Sequence, residues 1–221
     1  MRYPLLIVSL ILLSVIVRAE DESQAAASLS RLLAPLEALQ GQFKQRIVDT
    51  KGEIIQESEG WFAMKRPGKF RWETLAPFDQ ILVSDQVTLW LYDPDLEQVT
   101  VRPFDPSMQQ TPALLLSGEV NKISEHFRVQ LASGQAQTTQ GLKQQSDNPV
   151  QTFSLRPKGE NSLFEELDLS FVGGQLTEMA IHDSLGQITT ISLQKLIANK
   201  PISDQQFTFK PPPGTDVLLN D

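Results

Sequence analysis

The chain has 221 residues, 40% of them hydrophobic, carries a formal net charge of −8 and contains no cysteine. Its length and apolar share suit one domain with a sizeable core, and its acidity argues against nucleic acid or anionic lipid head groups as partners held by charge. Without cysteine there are no disulfides, and the lipidated cysteine that would anchor a bacterial lipoprotein is missing.

The N-terminus opens on the basic run Met1-Arg2-Tyr3, and Leu5 to Val17 is almost continuously apolar. Val17-Arg18-Ala19 then places small or compact residues where a signal peptidase reads. About 13 apolar residues fall short of the ~20 that a spanning helix needs, so residues 1–19 are expected to be a cleavable signal peptide and 20–221 a single secreted domain. Loss of Arg2 and Arg18 takes the charge to about −10. Any lipid such a protein handles must be held by an apolar interior.

From Ser28 to Leu39, Leu29, Leu32, Leu33, Leu36 and Leu39 recur at helical spacing. Pro35 interrupts that stripe, and an interior proline costs ~3 kcal/mol or forces a kink. A bent first helix, or two short segments, is expected there. A leucine stripe ordinarily means core packing.

Beyond Phe43, runs rich in Val, Ile, Thr and aromatics alternate with turn signals such as Asp49-Thr50-Lys51-Gly52, Pro67-Gly68, Ser84-Asp85 and Gly173-Gly174. This rhythm marks antiparallel β-structure of sandwich or barrel type. It predicts about eleven strands, over 42–50, 53–66, 69–75, 79–85, 87–93, 97–104, 126–132, 149–157, 164–172, 175–183 and 186–197. Between 104 and 126, Thr111-Pro112, Ala113 to Leu116 and Gly118 read as N-cap, first turn, short apolar helix and stop. A second helical turn is expected around Val120 to Glu125. Ser133 to Asn148 reads as an exposed loop, and Pro211-Pro212-Pro213-Gly214 as an extended tail.

Two strands are apolar on both faces, Ile81-Leu82-Val83 and Leu89-Trp90-Leu91-Tyr92. A sheet with one wet face does not need that. One face can pack on a core while the other lines a cavity or takes a helical cover, and the leucine-rich helices are natural covers. Trp61, Phe62, Phe70, Trp72, Trp90 and Tyr92 fall in neighbouring strands, and together with the two-sided strands they suggest a cavity lining.

The segment Lys65-Arg66-Pro67-Gly68-Lys69-Phe70-Arg71-Trp72 turns at its Pro-Gly pair. Beyond the turn, Phe70, Trp72 and Thr74 share one face and Lys69, Arg71 and Glu73 the other. Arg66 meets the turn at the end of a mostly apolar strand. A guanidinium there must find acceptors, since burying it unpaired costs several kcal/mol.

Nothing in the chain suggests catalysis. His126 and His182 lie in separate predicted strands without a metal-binding context, and Glu165, Glu166 and Asp168 read as a charged outer face. There is no G-x-S-x-G elbow and no G-x-x-x-x-G-K-[ST] loop, so the chain has no visible means of using ATP.

The ordered set Phe43-Lys44-Gln45, Gly60-Trp61, Lys65-Arg66-Pro67, Phe70-Arg71-Trp72, Pro77, Gln80 to Asp85, Leu89 to Tyr92, Glu97-Gln98, Thr111-Pro112 and Phe207 to Pro212 resembles the LolA family of periplasmic outer-membrane lipoprotein carriers. The resemblance covers nearly all of the chain beyond the signal segment. It implies an unclosed antiparallel β-barrel, mainly β with a short helical lid, over a hydrophobic cavity. It also implies triacylated lipoproteins as cargo, an inner-membrane LolCDE-type ABC transporter as donor and an outer-membrane LolB-type receptor as acceptor. The carrier is expected to be monomeric, without metal or cofactor. Phe70, with Trp72, Trp61, Trp90 and Leu82, is then expected in the acyl-chain cavity, with Leu33, Leu114 and Leu115 in the lid. Arg66 is implied to be the latch that hydrogen-bonds lid elements while the cavity is empty. A lipoprotein-sensing regulator resembling RseB, which adds a C-terminal domain to the same fold, is the alternative; a periplasmic esterase lacks a nucleophile–histidine pair.

Overall fold

The computed structural model describes residues 21–104, 116, 120, 123–132, 149–159, 162 and 164–220. Helix α1, described over 21–33, stops ahead of Pro35, because the residue before a proline is pushed out of the α region. Ala34 N–H still donates to the Ser30 carbonyl at 2.7 Å, and the chain is a strand by Ala38. The proline therefore ends the helix and does not bend it. Leu39, expected on the helical stripe, belongs to the first strand.

Among the described residues twelve strands follow: β1 (Ala38–Val48), β2 (Ile54–Lys65), β3 (Lys69–Thr74), β4 (Gln80–Asp85), β5 (Thr88–Asp93), β6 (Gln98–Pro103), β7 (Phe127–Leu131), β8 (Val150–Pro157), β9 (Glu166–Val172), β10 (Gln175–His182), β11 (Ile188–Ala198) and β12 (Asp216–Leu219). A short helix, α2 (Ile123–His126), leads into β7. The first eleven strands fall where turn chemistry places them. The twelfth is new: beyond the proline-rich tail, Asp216 to Leu219 pair in parallel with Gln98 to Val101 of β6.

All strands belong to one sheet, in the order β12-β6-β5-β4-β3-β2-β1-β11-β10-β9-β8-β7. Every neighbouring pair except β12–β6 is antiparallel. Its two ends, β12 and β7, are not paired with each other, so the barrel is unclosed.

Cross-strand register separates the two faces. Leu39, Phe43, Phe62, Met64, Phe70, Leu89, Leu169, Met179 and Leu193 point to one side, where they form a single core with Leu29 and Leu33 of α1 and with Leu116, Val120 and Ile123. Full burial of each leucine contributes ~1.5–3 kcal/mol, so α1 is held down chiefly by Leu29 and Leu33, both 0% exposed. Gly60 permits the tightest approach on this face: a Cβ there would sit 2.8 Å from the Phe43 ring and collide with the Glu73 carbonyl.

The opposite face is also covered in part. Phe207 and Ile202 bury against Ala38 and Ala63, with Trp61 packed alongside, and the Phe209 ring lies 5.4 Å from that of Tyr92. Lys65 and Lys69 hold Asp204, the first residue of the 3₁₀ turn Asp204–Phe207, at 2.8 and 3.1 Å. The two-sided apolar strands thus have a physical account. Helices cover one face, and the C-terminal segment covers the other. Farther along, that outer face is polar: Arg156 pairs with Glu166 at 2.9 Å, and His182 Nε2 lies 3.1 Å from Asp168.

Candidate functional site

Arg66 follows Lys65, the last residue of β2, in the β2–β3 turn, where the glycine of the Pro-Gly pair takes φ of 70°. Its side chain crosses to the helical cover. Nη1 donates to the Leu33 carbonyl at 2.8 Å, and Nε donates to the Leu116 carbonyl at 3.0 Å. Nη2 is buried and has no partner among the described residues. Burial pushes the guanidinium down to about 10, against the opposing pull of Glu37, so it remains a cation at neutral pH. Both acceptors are main-chain groups, so the bonds demand a backbone position and no particular side chain.

Beneath these bonds the concave face is filled. Phe70 is 1% exposed, and Trp72 stacks on Phe43 with ring centroids 4.1 Å apart and on Phe62 at 5.5 Å. Toward the opposite end of the strands the face opens into a cleft of about 660 Å³. Trp72, Leu82, Ile181 and Ile191 form its apolar wall, Gln45, Gln56 and Ser58 its polar wall, and Phe78, Asp79, Asp93, Asp95 and Leu96 stand around it.

The structure gathers Arg66, Phe70, Trp72, Leu82 and Leu33 on the concave side. Trp61 and Trp90, expected with them, lie on the other face. Trp61 pairs across the sheet with Glu73 and packs beside Phe207 and Ile202, with the Arg71 guanidinium 5.3 Å from its ring centroid. Trp90 pairs with Val83 and Val101, out of phase with the inward Leu89. Period-two alternation decides both: Trp61 precedes Phe62 and Trp90 follows Leu89, so neither can share the inner face with its neighbour. Leu114 and Leu115 lie outside the described residues. Leu116, next to them, supplies both a buried side chain and the carbonyl that Arg66 holds.

Residues 34–210 match the family described as "Outer membrane lipoprotein carrier protein LolA". The chain belongs to this family. Relatives named outer-membrane lipoprotein carrier protein include one from Pseudomonas paraeruginosa, 41% identical over 198 residues, which span 90% of this chain and 89% of the relative. One from Hahella chejuensis is 43% identical over 192 residues, 86% of each chain. Among solved structures, an uncharacterized conserved protein from Thermus thermophilus covers 90% of this chain and 99% of its own at a TM-score of 0.54 and 13% identity; that likeness concerns the fold alone.

In this LolA-family chain, three site features escape sequence reading. Phe43 was legible as part of a motif, yet its role as the platform for Trp72 depends on Gly60 lying opposite it. The second carbonyl held by Arg66 comes from a segment 50 residues away. The cleft's polar wall is assembled from Gln45 on β1, which belongs to the Phe43-Lys44-Gln45 motif, and Ser58 on β2, which no sequence signal singles out.

Proposed function

We propose that the chain is a periplasmic carrier that takes lipoproteins from an inner-membrane LolCDE-type transporter, shields their acyl chains and delivers them to an outer-membrane LolB-type receptor. In this reading residues 1–19 are the cleaved signal, and residues 20–221 are one carrier domain acting as a monomer. Among the described residues no helix is long and apolar enough to cross a membrane. The observation that carries the proposal is the pair of hydrogen bonds from Arg66 to Leu33 and Leu116, which tie two covering segments over an apolar concave face.

The magnitudes fit a carrier. Burying a CH₂ is worth ~0.8 kcal/mol, so three long acyl chains represent roughly 30 kcal/mol relative to water. A pocket that captured all of it from solution would never release its cargo. Transfer from one apolar site to another involves only small differences, so the carrier must bind more weakly than its receptor. At ~30 Å³ for each water-sized group, the open cleft houses on the order of twenty methylenes. Three long chains need more, and the space now filled by Leu29, Leu33 and Leu116 is where it lies. Loading therefore displaces the helical cover and breaks the Arg66 bonds. Each charge-assisted bond is worth ~1.5–3 kcal/mol, enough to keep the empty cover shut and small against the burial of a chain.

Depletion of the protein followed by membrane fractionation tests this function. Outer-membrane lipoproteins should accumulate in the inner membrane, and unchanged partitioning refutes the carrier role.

A further inference from the structure

The cleft carries polar groups that acyl chains do not use. Ser58 is only 9% exposed, lines the cleft, and its Oγ has no hydrogen-bond partner among the described residues. A buried hydroxyl without a partner is a standing penalty that a bound acceptor removes. Gln45 lies directly across the β1–β2 ladder from Ser58, and Gln56 follows on the same face of β2, so a hydroxyl and two amides form one polar strip of the cleft, with Trp72 and Leu82 on one side of it and Ile191 and Ile181 on the other. No lysine or arginine occurs among the described lining residues, while Asp79, Asp93 and Asp95 are present. Such a site offers hydrogen bonds to neutral carbonyls and repels phosphate.

We infer that this cleft is a head-group subsite for the neutral ester and amide linkages of an acylated protein N-terminus, with the Ser58 hydroxyl donating to an acyl carbonyl, and that its carboxylates turn away anionic phospholipids. The inference rests on the carrier reading and adds what selects the cargo. A membrane offers a lipid carrier far more phospholipid than lipoprotein. Both present acyl chains, so an apolar cavity alone does not separate them. What differs is the linkage region, where the lipoprotein has an amide and esters without phosphate. An orphan donor beside an apolar wall recognises the first feature, and a rim of fixed negative charge without a compensating cation disfavours the second.

The test uses the mature chain, a synthetic triacylated lipopeptide and phosphatidylglycerol, both with bromine-substituted acyl chains that quench tryptophan, Trp72 being in the cleft wall. Ser58→Ala should weaken lipopeptide binding about fivefold, the worth of one neutral hydrogen bond, with a smaller effect on a brominated hydrocarbon that has no carbonyl. Its melting temperature should hold or rise, because the hydroxyl satisfies nothing in the empty protein. Asp79→Asn combined with Asp95→Asn should strengthen phosphatidylglycerol binding several-fold at low salt, and the gain should shrink as salt is added. A Ser58→Ala variant that melts lower but binds lipopeptide normally makes the hydroxyl structural and overturns the subsite. Equal wild-type affinity for lipopeptide and phosphatidylglycerol overturns the charge filter. If the wild-type chain binds no lipopeptide, the carrier reading falls and the subsite falls with it.

Discussion

Arg66 Nη1 donates to the carbonyl of Leu33, the last helical residue of α1, across 2.8 Å. The closing carbonyls of a helix have no intrahelical partners, and a cation is favoured at that end by the helix dipole. The Leu33 carbonyl already accepts from Leu36 N–H at 3.0 Å, so Arg66 adds a second, charged donor at the helix end. The contact joins the end of β2 to the end of α1, while the same guanidinium reaches the Leu116 carbonyl through Nε.

Arg66→Leu should release the helical cover. It removes two charge-assisted bonds worth ~1.5–3 kcal/mol each and recovers part of that sum by ending the burial of a cation. Amide hydrogens in the last turn of α1 should exchange faster, and transfer of radiolabelled lipoprotein from purified carrier to receptor should fall about tenfold or more, because an open apolar face retains its cargo. Arg66→Lys should lie between, since an ammonium is a point donor and cannot span both carbonyls as the planar fork does. Wild-type transfer by Arg66→Leu removes the latch from the mechanism.

Gly60→Ala should be strongly destabilising for a surface-to-core β2 position. The added methyl would stand 2.8 Å from two atoms of the Phe43 ring and against the Glu73 carbonyl, and backbone cannot retreat as a flexible side chain does. Overpacking of this kind costs ~1–3 kcal/mol, and the Phe43–Trp72 stack would be disturbed besides. Urea unfolding followed by far-UV circular dichroism measures the loss; a midpoint within a few tenths of a molar of the wild type excludes the close approach.

Much of the fold was legible because its signals are local. Pro67-Gly68, Gly173-Gly174 and the Asp-rich turns punctuate the chain, and eleven strands fall between them. Strand β12 was not legible although the Pro213-Gly214 turn precedes it, since it is only four residues long and pairs with β6 from more than a hundred residues away. Arg66 could be singled out as a guanidinium in need of acceptors, but not which acceptors, because backbone carbonyls leave no trace in sequence. The tryptophans divide on alternation. Phe70 and Trp72 are two apart and share a face, whereas Trp61 beside Phe62 and Trp90 beside Leu89 must part company. Aromatic composition suggested one lining where the pleat makes two layers, the second sealed by Ile202, Phe207 and Phe209.

Glu178 offers a pH-dependent test of the outer face. Burial raises its carboxyl above the ordinary 4.5, with a bond to Ser192 acting in the opposite sense. A folded-state value above the unfolded one means that the native protein binds the proton more readily, so stability declines as pH rises through that window and the penalty stays at neutral pH. Glu178→Gln keeps a hydrogen-bonding group opposite Ser192 and removes the charge. Its melting temperature should exceed the wild type's at neutral pH, and the difference should vanish near pH ~3, where the wild-type carboxyl is protonated in both states. A gain that persists at the acid end points to packing and not to ionisation.

The two tryptophan layers separate carriage from stability. Trp72 lies on the concave face against Phe43 and Phe62 and in the cleft wall, whereas Trp61 packs beneath the C-terminal segment on the far side of the sheet. Trp61→Ala should cost roughly 2 kcal/mol, since a half-buried ring loses about half of what full truncation costs. Lipopeptide loading should nevertheless stay near normal at temperatures where the variant is folded. Trp72→Ala, compared at matched fractions folded, should lose most of its loading, because the wall that meets the acyl chains is gone. Trp90→Ala should follow Trp61→Ala, since Trp90 stands on the same outer face, opposite Val83 and Val101. Loading assayed by co-elution of lipopeptide with each variant decides between one shared lining and two layers: equal losses in all three require a single cavity, which the cross-strand register does not permit.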